Sequence, residues 1–103
     1  MAATVIPGQL IDVTDVGSTS DPKLLLKCDA FRLMRLVLPK GKELPTHTAP
    51  KQIVVQCVSG RVDFTALEKT HAMTAGSLLY LDSGEPHALV ALEDSVMLVT
   101  LAN

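Results

Sequence analysis

The chain has 103 residues, enough for one domain with a single core and too few for two. Apolar residues make up 48% of it but aromatics only 3%, so the core has to be built from Leu, Val, Ile, Met and Ala. A net charge of -2 with no run of Lys or Arg excludes the electrostatic footprint of a nucleic-acid binder or of a protein docking on anionic membranes.

The first residues, MAATVIPGQLIDV, lack the basic flank and the long apolar run of a secretory leader. No apolar stretch approaches the roughly 18 residues that span a bilayer. The expectation is a soluble cytoplasmic protein. DVGSTSDPK, from Asp15 to Lys23, is a polar Gly/Ser/Pro loop, and too little chain precedes it to form a separate domain.

Beyond this loop the chain reads as strands and turns. KLLLKC and AFRLMRLVL are short aliphatic runs closed by the turn segment PKGKELP. QIVVQCV ends at Ser59 and Gly60, and RVDFTAL follows at once. EKTHAM, SLLYL, HALVAL and SVMLVTL complete the series, separated by TAG, DSGEP and ED. Strand-length runs with turn residues every 8–12 positions predict an all-β sandwich or barrel. Helical periodicity is nowhere sustained over 11 residues.

Alternation refines this. RVDFTA puts Val62, Phe64 and Ala66 on one face and Arg61, Asp63 and Thr65 on the other, as expected of a strand with one wet face. IVVQCV, SLLYL and VMLVTL are apolar on both faces and need cover outside the barrel, for which a second copy in a homodimer is the favoured source. Cys28 and Cys57 lie in separate strands without metal or redox spacing. They read as reduced thiols, with a disulfide as the alternative.

Three histidines remain. His71 falls in the charged segment LEKTHAMT and reads as a surface residue. His47 and His87 both stand at the starts of strands beside turns, where a barrel has its mouth and where pockets form. Period two lines the barrel near them with Ala49, Ile53, Val55 and Cys57 from one strand and Leu89 and Ala91 from another; Met34 and Leu36 join from the strand before. A zinc or iron site generally takes three protein ligands, and only two histidines have this placement. No glycine loop for phosphate and no nucleophile-elbow serine is present, and Cys57 is set among apolar residues that would raise its pKa.

The spacing of these residues resembles the cupins. Gly41, five residues, then His47, Thr48, Ala49, and an apolar strand ending at Gly60 is similar to their first motif, which reads G, five residues, H-x-H, three or four residues, E, six residues, G. Gly76, five residues, Asp82, Ser83, Gly84, two residues and His87 is similar to the second, which has P-x-G before its histidine and an Asn after it. The likeness covers about half the chain, from Gly41 to Ala91. It is closest to small single-domain cupins whose first motif is reduced to H-x-A-P.

The resemblance implies a double-stranded β-helix, or jelly-roll barrel, usually dimeric. A single domain over 1–103 would comprise N-terminal strands over about 9–38, a first motif over 41–60 and a second over 76–91. Ala49 stands at the second histidine position, Ile53 at the carboxylate position, Asp82 at the proline and Ala91 at the Asn. Of the family's four metal ligands only His47 and His87 match.

Two functional readings follow. In the first, a small organic molecule binds in an apolar pocket formed by His47, His87, Ala49, Ile53, Val55, Cys57, Met34, Leu36 and Leu89. In the second, a metal-dependent enzyme of dioxygenase, isomerase or lyase type holds a divalent transition metal on His47, His87 and a third ligand that the motifs do not identify.

Overall fold

The computed structural model describes residues 7–14 and 22–103. Its regular elements are all strands: β1 (Lys23–Lys27), β2 (Phe31–Leu38), β3 (Glu43–His47), β4 (Ile53–Ser59), β5 (Arg61–Ala66), β6 (Lys69–Thr74), β7 (Leu78–Leu81), β8 (His87–Ala91) and β9 (Ser95–Ala102). They form a five-stranded sheet in the order β1-β2-β9-β4-β7 and a four-stranded sheet in the order β3-β8-β5-β6. Every pairing is antiparallel. From β2 onward every connection except the β5–β6 hairpin changes sheet, which is jelly-roll topology. No helix among the described residues is long and apolar enough to cross a membrane.

β5 follows its alternation. Val62, Phe64 and Ala66 are buried while Arg61 and Thr65 are exposed. Ala66 pairs with Lys69, so a two-residue turn joins β5 to β6. Both turn residues, Leu67 and Glu68, have positive φ (54° and 62°), as a type I′ hairpin turn demands.

At Gly60 the chain leaves one sheet and enters the other with φ of 89°. The Ser95 hydroxyl braces this corner, accepting from the Arg61 amide at 3.1 Å and lying 2.8 Å from the Glu93 carbonyl to which it donates.

Three expectations change. The residues Glu43 to Pro45, read as turn, belong with Thr46 and His47 to β3. It pairs only with β8 and slips register between Leu44 and His47, and a Pro is tolerated on such an edge strand. His47 therefore ends β3 rather than starting β4. The N-terminal strands begin at Lys23, since residues 9–14 are turn and irregular chain; most of the DVGSTSDPK loop lies outside the described residues. His71 is half-buried, because it pairs with Phe64 and shares that residue's inward face.

Direct partners on neighbouring strands share a face, so the register can be read as layers of inward side chains. In the five-stranded sheet these are Arg32, Leu101 and Ile53, then Met34, Val99 and Val55, then Leu36, Met97 and Cys57. The facing sheet contributes His47, His87 and Ala66, then Leu44, Leu89 and Phe64, then Ala91 and Val62. The third layer is sealed except at Leu36, which reaches the cavity: Met97 and Cys57 are 0% exposed, and Ala91 and Val62 1%. The upper two layers surround the cavity described next.

Candidate functional site

His47 and His87 meet because their strands pair residue to residue at that point. Their ring centroids lie 4.2 Å apart with the planes at 63°. Phe64 stacks on the other side of His87, at 5.7 Å and 11°. His47 is exposed at the rim, whereas His87 is buried at 6% exposure.

Each imidazole is fixed in the same way by its own chain. Nδ1 of His47 lies 2.9 Å from the Pro45 carbonyl, and Nδ1 of His87 lies 2.8 Å from the Glu85 carbonyl. A carbonyl can only accept, so Nδ1 carries the proton in both rings, and the neutral form of each presents Nε2 as an acceptor. Burial pushes the His87 pKa down. The hydrogen bond to Glu85 opposes that shift, and the proximity of His47 adds to it. His87 is accordingly neutral at pH 7.

Beside the two rings a cavity of about 390 Å³ runs between the sheets. β2 supplies Met34 and Leu36, β4 supplies Ile53 and Val55, β8 supplies His87 and Leu89, and Ala49 closes in from the loop after His47. That loop is held by a bond from the Gly84 amide to the Ala49 carbonyl at 2.9 Å, which joins the two motifs at the mouth. All residues expected to line a pocket around His47 and His87 thus come together, except Cys57 and Ala91. Those two sit in the sealed third layer. The Cys57 side chain lies about 7 Å further along β4 than that of Val55, and its thiol is 3.5 Å from the Ser59 carbonyl. Burial raises the thiol's pKa, so it is a neutral packing group.

Residues not anticipated also line the cavity: Arg32, Leu44, Thr48, Pro50, Phe64, Val99 and Leu101, together with Pro22. For Arg32 a signal was present, since it stands two residues before Met34 on the same face of β2. Phe64 was already assigned to an inward face, and only the non-local register shows that it abuts His87.

The resemblance to cupins implies a metal, and the donor set here does not fit one. Among the described residues no group of three or more His, Cys, Asp or Glu side chains could hold a metal ion. Ile53, at the carboxylate position, is buried and apolar, and its neighbour Gln52 is exposed on the other face. A divalent ion on two neutral imidazoles would keep its whole charge beside an apolar wall, at a large desolvation cost.

Comparison with known proteins agrees with this architecture. The chain is similar over 99% of its length to a conserved protein of unknown function, SPY1581, from Streptococcus pyogenes, with 23% identity, TM-score 0.81 and 93% of that chain covered. It is also similar to an RmlC-like cupin from Shewanella frigidimarina (18% identity, TM-score 0.76, 92% of this chain and 86% of that one). A third likeness is to the DMSP lyase DddQ from Ruegeria pomeroyi (19% identity, TM-score 0.75, 81% of this chain), of which it spans 46%. At these identities the likenesses establish the fold. A search among curated proteins finds no significant match. The cupin domain profile matches residues 34–102, two thirds of the sequence and both motif regions, and the chain therefore belongs to the cupin domain family.

Proposed function

We propose that the protein binds a small organic molecule in the cavity between its sheets, with His47 and His87 as hydrogen-bonding groups at the mouth. The observation that carries this reading is the pairing of an apolar cavity of about 390 Å³ with two oriented imidazoles and, among the described residues, no third metal ligand. Small-molecule sites are typically apolar concavities of this size with a few placed polar groups. With Nδ1 held by a backbone carbonyl, the neutral form of each ring offers Nε2 as an acceptor, so a hydroxyl or N–H on the ligand would be recognised there. This reading fits the group of small cytoplasmic cupins in which H-x-A-P replaces H-x-H, and it extends to a homodimer that covers the apolar outer strands.

The metal-enzyme alternative has one observation in its favour. Both Nδ1 atoms are tied to carbonyls, which is how metal-binding histidines are commonly oriented so that Nε2 faces the ion. The relative named a lyase lends the same alternative a precedent in the fold. The apolar residues at positions 49 and 53 weigh against it.

An NMR titration of methyl and imidazole resonances with a panel of small organic acids, amides and alcohols tests the proposal. Shifts confined to the methyl groups of Met34, Val55, Val99 and Leu101 and to the two rings would support it. A panel that leaves these resonances unmoved at millimolar concentration would overturn it.

A further inference from the structure

The cavity's top layer holds a charge that the apolar walls do not account for. Arg32 is half-buried on β2, directly opposite Leu101, and lines the cavity on the sheet facing the histidines. Its guanidinium has a single polar partner among the described residues, the Asn103 Oδ1, which accepts from Nη1 at 3.4 Å. Asn103 is itself fixed: its Nδ2 donates to the carbonyls of Cys28 at 2.7 Å and Asp29 at 3.1 Å, which points Oδ1 at Arg32. The arginine is thus steadied by a neutral group.

Among the described residues no carboxylate lies within 4.0 Å of Arg32, and none lines the cavity. A guanidinium carries five donors in a planar fork, and a carboxylate is the group that matches this fork with two parallel bonds. The same positive charge disfavours a divalent cation in this space. Below the mouth the walls are apolar down to the sealed layer, so the rest of the occupant is apolar. At about 30 Å³ for each water-sized group, 390 Å³ holds on the order of a dozen non-hydrogen atoms.

We propose that the cavity takes a small aliphatic monocarboxylate, its chain between the sheets and its carboxylate on the Arg32 guanidinium. The proposal rests on the binding reading above and adds the chemical class to it.

Calorimetric titration of the whole protein at low salt with octanoate and with octanamide, its uncharged counterpart, tests the proposal. Wild type is expected to bind octanoate on the order of ten- to a hundredfold more tightly than octanamide, the usual worth of a hydrogen bond to a charged group. In Arg32→Met that ratio falls to about one. In Arg32→Lys the ratio stays above one and shrinks with added salt. Equal binding of the two compounds by wild type would overturn the carboxylate class and leave the binding reading standing. A ratio unchanged in Arg32→Met would overturn the assignment to Arg32, and absence of binding by either compound would overturn the proposal and count against the reading beneath it. Should Arg32→Met fail to fold, the wild-type ratio and its salt dependence decide.

Discussion

Gly60→Ala should be among the most damaging single-methyl additions this protein can receive. The residue has φ of 89°, where an L side chain costs roughly 1–2 kcal/mol. A Cβ built there would contact the Ser95 hydroxyl, lie 2.5 Å from the Asp94 carbonyl oxygen and 2.7 Å from the Ser95 Cα. Two of these three neighbours are backbone, so relief requires moving the turn between β8 and β9. Overpacking of this kind costs typically ~1–3 kcal/mol. Displacing Ser95 also loosens its bonds to Arg61 and Glu93, each worth about 1 kcal/mol. With both bonds lost the total is about 4–7 kcal/mol, and at roughly 4–8 °C per kcal/mol the melting temperature falls by at least ~16 °C. Gly76→Ala is the control: φ there is 93°, but a Cβ meets nothing within 4 Å, so only the conformational cost applies. Urea and thermal melts of both variants measure the difference. Equal losses in the two would refute the close-approach argument and leave backbone strain as the whole effect.

Other expectations concern pH, the hairpin and association. The folded pKa of His87 lies below its unfolded value near 6.5, so on acidification the unfolded chain takes up the proton first. Stability is then full above about pH 6.5 and falls as pH drops toward the folded pKa, with a slope from this group of at most about 1.4 kcal/mol per pH unit. Urea melts of wild type and His87→Gln between pH 7.5 and 5 should show wild type losing ground to the variant, and a constant gap would contradict this. Leu67 and Glu68 occupy positive-φ positions that Asn-Gly fills with less strain, so the double change Leu67→Asn, Glu68→Gly should raise the melting temperature by several degrees in a thermal scan. Leu78 and Tyr80 on edge strand β7 are 63% and 60% exposed on the outer apolar surface. Light scattering is expected to give a dimer mass that Leu78→Lys with Tyr80→Lys reduces to a monomer.

What could be read from sequence was whatever depends on local period. The alternation in RVDFTA identifies the core face of β5, and the glycine-to-histidine spacings of the two motifs point to the fold. Face is a local property, but depth is not. Cys57 lies on the same side of β4 as Val55, and only its pairing with Met97 shows that it belongs beneath the cavity. The same holds for Ala91, which pairs with Val62. β3 escaped because ELPTH has no alternation, carries a proline and keeps its place through pairing with β8 alone. Arg32 escaped because a charged residue in an aliphatic strand reads as outward, although period two from Met34 puts it inside. That His47 and His87 touch depends on a register between segments forty residues apart, which no local pattern encodes.

The most direct test of the central claim, an organic-ligand pocket in place of the family's metal centre, is metal content. Mass-spectrometric metal analysis of tag-free protein purified without chelator should find well under one transition-metal ion per chain, unchanged in His87→Ala. Close to one ion per chain, lost in that variant, would contradict the account and show that a ligand beyond the two histidines completes a metal site.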